Sequence, residues 1–410
     1  MRRTMTLMSC ALCTAALLLG TASAQPLRFD DVVRNLRNPD AKVRLSAVRV
    51  LHEAKYPEAI VPLAALINDP VNEVQLEAIA AELAFFLVEE VPAKKRVGFV
   101  VEVRTPGRAP TAFALGPLAV WPREVPAEVI TELLRAVDDD NSKVRVEAIY
   151  SVGVLGHAPL ADDAGQSLIK ALDHYDPAVR GGAARVIGRL QVKTAGDALI
   201  KAINDSNAQV RFASMRALGE IGEERAVQSL TEQFTYYGKG EGAWSALDGL
   251  ARIAHASSVP LFKARLTDRD PFLRRAAAEG LGRSGDRSEL SAFEIAVGND
   301  ESDMVRAAIA FALEKLGRPY VARLIDMLNS SKMAPQVQGY LLELGRSVIP
   351  SLVPRLREPD PEVRARVAEV LGLFGGDPAL TALQPLTEDR DRDVVEAATQ
   401  AIERIKKARK

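Results

Sequence analysis

One thirteen-residue pattern returns along most of this chain, and such a return limits the folds open to it. Residues 176–188 read DPAVRGGAARVIG, and residues 360–372 read DPEVRARVAEVLG. With the Arg of Val-Arg as a register mark, equivalent positions are Arg44, Gln75, Arg145, Arg180, Arg211, Gly242, Arg274, Arg306, Gln338, Arg364 and Val395. Most intervals are 31 or 32 residues, with one of 70 between Gln75 and Arg145. A period of this length marks an array of supersecondary units rather than a string of independent domains.

Each position in the unit has a physical reason. Four residues before the mark stand Asp40, Asn141, Asp176, Asn207, Asp270, Ser302, Asp360 and Asp391. These types cap helix N-termini, where a side-chain oxygen accepts an otherwise orphaned N–H. Pro177, Pro271 and Pro361 follow directly, at the first helical position, where a missing N–H costs nothing. Apolar residues then recur with helical spacing, as at Val179, Ala183, Val186, Ile187 and Leu190. Gly156, Gly222, Gly285, Gly317 and Gly375 each stand eleven residues past a mark and are expected to close the first helix. A second amphipathic segment completes the unit, as in AGDALIKAI at 195–203 and RAVQSLTEQF at 225–234. Each unit therefore reads as a helical hairpin, helix A then helix B, that buries its apolar face only by stacking on its neighbours.

The unit D-P-x-V-R-x-x-A-x-x-x-L-G resembles the HEAT repeat, in particular the HEAT-like type of phycobilisome lyases and many bacterial binding proteins. The resemblance implies an all-α superhelical solenoid of about ten hairpins, with A helices convex and B helices concave. It also implies that the motif Arg and the cap Asp bond across adjacent repeats as a structural ladder. The ladder residues would be Arg44, Arg145, Asp176, Arg180, Arg211, Asp270, Arg274, Arg306, Asp360 and Arg364.

Three places depart from the rule. The long interval holds an insertion at 89–126, between helical segments at 73–87 and 126–137. Within it Val97, Phe99, Val101 and Val103 alternate on one face, TPGRAP supplies a turn, and 111–122 is expected to return as the second strand of a β-hairpin-like flap. Such a flap either packs on its neighbours or meets a partner. In the sixth unit TYYGKGEGAW brings Tyr236, Tyr237 and Trp244 together, as candidate contact residues or as filling for a bend in the array. Aligned B helices place Arg135, Lys170 and Lys201 at one position, followed by Glu232 and Asp326, a candidate basic-to-acidic stripe along the groove.

The first residues read as a signal peptide, 1–24: Arg2 and Arg3, a mostly apolar run at 7–19, and Ala22-Ser23-Ala24 for cleavage. That implies a secreted or periplasmic protein whose solenoid, 25–410, keeps neither of the two cysteines and has no disulfide. No later run is apolar for long enough to span a bilayer, and a formal net charge of −1 argues against nucleic-acid binding. His52, His157, His174 and His255 lie in different units without metal-ligand spacing. No catalytic residue, cofactor or metal is assigned. The sequence is expected to encode a non-catalytic scaffold for a protein or peptide. The alternative is a HEAT-like enzyme related to deoxyhypusine hydroxylase or phycobilisome lyase, although the single His52-Glu53 pair falls short of the several His-Glu pairs of the hydroxylase.

Overall fold

The computed structural model describes residues 28–88, 108–121, 123–156 and 160–407. The expected leader, 1–24, and the first arm of the expected flap, 97–103, lie outside the described residues. The register helices are α1 (Ala41–Ala54) and α2 (Asn72–Phe86), then, past an insertion helix α3 (Arg108–Leu115), α4 (Ser142–Leu155), α5 (Pro177–Leu190), α6 (Ala208–Ile221) and α7 (Gly240–Ile253). They continue as α8 (Pro271–Ser284), α9 (Asp303–Lys315), α10 (Ala334–Leu344), α11 (Pro361–Phe374) and α12 (Arg392–Lys407). A shorter second helix joins each to the next, such as Gly196–Ala202 between α5 and α6. The chain is an all-α solenoid.

The caps form as their chemistry dictates. Asp40, Asn141, Asp176, Asn207, Asp270 and Asp360 each accept the N–H two residues on. Ser302 makes no side-chain cap; its own N–H goes to the Asp300 carboxylate at 2.9 Å. Gly222 and Gly285 end their helices at φ +68° and +76°, where a side chain would be strained. Gly156 ends α4 at φ −75°, so its glycine is not required by backbone conformation.

One buried apolar cluster runs from Val32 to Ile405, as stacking hairpins require. The register helices form one layer and touch in sequence, α5 on α6, α6 on α7, α8 on α9 and α11 on α12. They are rich in Ala and Gly because they approach closely. α6 buries Val210, Ala213, Met215, Ala217, Leu218 and Gly219, whereas the second helix Ala127–Ala136 buries only Val129, Leu133 and Ala136.

This layer lines the inside of the curve, which corrects the expected placement of the A helices on the convex side. Side chains two units apart meet on its free face: Tyr340 of α10 donates to Glu279 of α8 at 2.6 Å, and Arg283 of α8 donates to Glu343 of α10 at 2.9 Å. Alternate units can touch only on the concave side of a bend. The insertion gives the same answer, because it contacts register helices from both ends of the array.

The expectation of a second strand at 111–122 is corrected. Residues 108–115 form α3, and 117–119 form one 3₁₀ turn. The Ala-rich run at its start favours helix, and the only strand-like pairing among the described residues is an isolated bridge between Leu87 and Val120. Phe113 packs edge-on against Tyr150 of α4, ring centroids 5.2 Å apart, and Arg189 of α5 lies over its other side, 4.0 Å from the centroid. From the far end, Arg404 of α12 donates to the carbonyls of Pro117 (3.2 Å) and Val120 (3.0 Å). A sequence separation of 284 residues is thereby closed by one guanidinium. Arg404→Ala is expected to speed hydrogen exchange at residues 116–121 while leaving α5 and α6 unchanged, read by mass spectrometry.

Candidate functional site

The register Arg is the scaffold's main polar fastener, but its partner differs from the one expected. Arg44 grips Asp69 (2.6 and 2.8 Å), Arg180 grips Asp205 (2.7 and 2.8 Å), Arg274 grips Asp300 (2.9 and 2.9 Å) and Arg364 grips Asp389 (3.0 and 2.8 Å), each bidentately. The carboxylates stand just before the next unit's cap, and Asp205 also accepts the Asn207 N–H at 2.7 Å. The cap residues Asp176, Asp270 and Asp360 accept from their own helices, at Ala178, Phe272 and Glu362, each at 2.9 Å, and Asp270 accepts across units from Trp244 rather than from a register Arg. An Asx cap is pinned to its own first turn, so the neighbour's guanidinium reaches the turn carboxylate two residues earlier. Burial alone would raise Asp205, yet the bonds from Arg180 and the Asn207 N–H leave its carboxyl below its ordinary value. Gln75 replaces an Arg and donates to Asp139 at 2.7 Å, carrying the ladder across the insertion.

Three register arginines depart from this pairing. Arg306 turns to the Asp300 carbonyl and to Asp303. Arg211 donates to the Tyr237 hydroxyl at 2.5 Å. Arg145 bonds the carbonyls of Asp138 and Asp139, because His174 occupies the turn position where other units carry Asp. His174 Nδ1 accepts the Asp176 N–H at 3.1 Å, and burial followed by the nearby Arg145 charge lowers its pKa. Arg180→Ala should cost about 1–2 kcal/mol, discounted because solvent reaches the guanidinium edge. His174→Asp should gain about 1 kcal/mol by giving Arg145 a bidentate carboxylate in place of its single longer contact with Asp138 at 3.6 Å. Urea unfolding of both variants checks the opposite signs.

Of the sixth-unit aromatics, Tyr236 packs edge-on against Tyr237, ring centroids 5.1 Å apart, while Trp244 is engaged elsewhere. The Tyr237 ring lies where a Cβ on Gly242 would fall, 2.3 Å away, which explains why Gly stands at that register mark. Trp244 donates to Asp270 at 2.6 Å and stacks on Phe272, centroids 4.3 Å apart. Tyr236 is 79% exposed. The stripe residues stand on the second helices, where Arg135 pairs with Glu132 (2.8 Å), Lys170 with Asp138 (3.0 Å) and Lys201 with Asp173 (2.7 Å).

The inner wall is built from positions five and nine after the mark, which belong to no motif recognised in the sequence. They hold Arg185 and Arg189 on α5, Arg216 and Glu220 on α6, and Glu279 and Arg283 on α8. Charged residues at fixed offsets in helices otherwise rich in Ala and Leu were the available signal. At the centre of this wall Glu279 is buried and accepts from Arg275 (2.7 Å), Arg283 (3.0 Å) and Tyr340 (2.6 Å). Burial would raise its carboxyl, but Arg275 and Arg283 hold it down at about 2.

Near the N-terminal end the wall opens into a cleft of about 690 Å³ between α2, α3, α4 and α5. Leu76, Val146 and Tyr150 give it an apolar floor. At its rim Glu77 accepts from His52 at 2.9 Å, a bond that lowers the Glu77 carboxyl, and Arg108 stands 3.2 Å from His52 Nε2. Glu147 accepts the Ala109 N–H at 3.0 Å, while burial raises its carboxyl. Among the described residues no three His, Cys, Asp or Glu side chains converge as metal ligands would. Neither does any described helix have the length and apolarity to cross a membrane.

Comparison with known families finds a match to HEAT repeats over residues 165–236, 240–337 and 340–410. Among solved structures the chain is similar to an engineered protein, at 18% identity and TM-score 0.42, covering 92% of this chain and 98% of that one. It is also similar to human deoxyhypusine hydroxylase in complex with glycerol, at 20% identity and TM-score 0.29, covering 68% and 96%. No curated protein matches.

Proposed function

The chain belongs to the HEAT-repeat family, and on that footing we propose that it is a non-catalytic scaffold that binds a protein or peptide along its inner wall. The observation that carries this reading is the cleft between α2, α3, α4 and α5, with its apolar floor and charged rim. A floor of that kind accepts one or two apolar anchors while the rim orders the surrounding polar chain, which is how a few residues supply most of the binding energy. Tyr236, 79% exposed at the end of the helix Val227–Tyr237, is a second contact point. The leader pattern supports a secreted or periplasmic setting, and N-terminal sequencing of mature protein should begin at Gln25.

Selection of displayed peptides against the intact protein tests the reading. Enriched peptides should lose binding on Val146→Glu and keep it on Lys201→Glu. Enriched peptides indifferent to Val146→Glu would overturn the assignment of the cleft. The metal-dependent hydroxylase reading would gain from stoichiometric iron in purified protein.

A further inference from the structure

We propose that the seam between the insertion and the last two register helices docks a basic amphipathic peptide segment, one with cationic side chains on one face and aliphatic ones on the other. The proposal rests on the scaffold reading and narrows it to a partner class. The seam holds a second cleft, of about 400 Å³. One wall is aliphatic, from Val88, Leu115 and Leu118; the other is anionic, from Glu369 of α11 and Asp393 and Glu396 of α12.

Two observations set this cleft apart from an ordinary solvated face. Leu115 is 59% exposed and lines the cleft beside Val88 and Leu118, so the aliphatic wall is a patch open to a partner rather than one stray side chain. The three carboxylates also lack a cation within ion-pairing distance among the described residues, and Glu396 takes only a neutral donor, Gln400, at 3.1 Å. Four register arginines of this layer are answered by carboxylates, from Arg44–Asp69 to Arg364–Asp389, and Glu82 of α2, a carboxylate left without a hydrogen-bond partner, is buried rather than open to a cleft. The charges of Arg366 and Arg404 reach Glu369 without an ion pair, because their N–H groups are spent elsewhere: Arg366 on the Leu328 carbonyl and Glu362, and Arg404 on the carbonyls of Pro117 and Val120. The Arg404 bonds hold the two walls together, so the cleft exists before a ligand arrives. An anionic wall facing an aliphatic one selects against acidic and uniformly polar segments, and it complements a Lys- and Leu-bearing face.

The test uses the intact protein and a helical peptide of Lys and Leu, with a Glu-for-Lys peptide and a Ser-for-Leu peptide as controls. Calorimetric titration should give binding to the first peptide only, weakened as salt rises. The combined variant Glu369→Gln, Asp393→Asn, Glu396→Gln should weaken it at least about tenfold, a loss near 1.4 kcal/mol. Leu115→Ser should weaken it independently. A second triple, Glu58→Gln, Glu128→Gln, Glu301→Gln, removes three exposed carboxylates elsewhere and should leave affinity unchanged. Equal losses from the two triples, or no loss from the first, would show general attraction to an acidic surface and overturn the proposal. Val146→Glu separates the two readings: seam binding should survive it, whereas peptides selected for the larger cleft should not. If those selected peptides behave as expected while the seam triple has no effect, the scaffold reading stands and the seam proposal falls.

Discussion

Glu279→Ala is expected to destabilise the array by about 3–5 kcal/mol, the loss typical of removing one partner from a buried ion pair. The carboxylate sits between Arg275 and Arg283, whose side chains are only 16% and 10% exposed, and it also accepts from a buried tyrosine hydroxyl. Asp248 and Glu343 would remain to hold the two guanidinium groups, which places the loss toward the lower end of that range. Tyr340 would lose its acceptor while stacked on Phe311, with centroids 4.5 Å apart. Because unfolding in a repeat array is carried by neighbouring units, the effect should be local as well as global. Amide exchange in α8, α9 and α10 should accelerate more than in α4.

The same residue fixes a pH dependence. Its carboxyl is depressed from 4.5 to about 2 in the folded chain, so the folded state binds fewer protons than the unfolded one between those values. The stabilisation is therefore fully present above about pH 4.5 and is lost as pH falls through about 2. Asp205, Asp300 and Asp389 shift in the same direction and add to the acid sensitivity. Wild-type and Glu279→Ala proteins should differ most near neutral pH and converge toward pH 2, as measured by urea midpoints across that range. A constant gap would mean that Glu279 acts through packing alone.

The hairpin period was legible because it is enforced locally, by caps, a proline and a helical apolar stripe that need no knowledge of the neighbours. Asp176 shows where that legibility ends. Its capping role follows from its own helix, but the partner of Arg180 depends on which turn the next unit brings alongside, and that partner is Asp205. A pattern search could have found Asp205, since Asp recurs two residues before the cap at Asp139, Asp268, Asp300 and Asp389. The direction of curvature was not readable from one unit. It is set by how closely successive helices approach, and Ala and Gly on both sides of α6 decide that only in pairs. Strand-like alternation at the start of the insertion led to an expected hairpin, whereas 108–115 is governed by its contact with α4 and α5. The inner-wall charges were visible at fixed offsets, but they acquire meaning only when that face is known to be concave.

Gly219→Val is the second substitution expected to have a large effect, about 3 kcal/mol or more. A Cβ at Gly219 would fall 2.6 Å from the Gly249 Cα and 2.9 Å from the Gly249 carbonyl oxygen. Both are backbone atoms, so no rotamer change relieves the clash, and α6 and α7 must separate. Separation at one crossing opens the inner layer there and weakens contacts on both sides of it, since protein interiors are too densely packed to absorb the shift. Gly339 provides the opposite case within the same layer. It lies inside α10, and a methyl group there would meet nothing within 4 Å, so Gly339→Ala should stabilise by about 0.5–1 kcal/mol through helix propensity. Thermal unfolding of the two variants should therefore move in opposite directions. A loss at both positions would mean that glycine in these helices serves backbone flexibility, and a neutral result at Gly219 would mean that the inner layer is looser than its helix-to-helix distances imply.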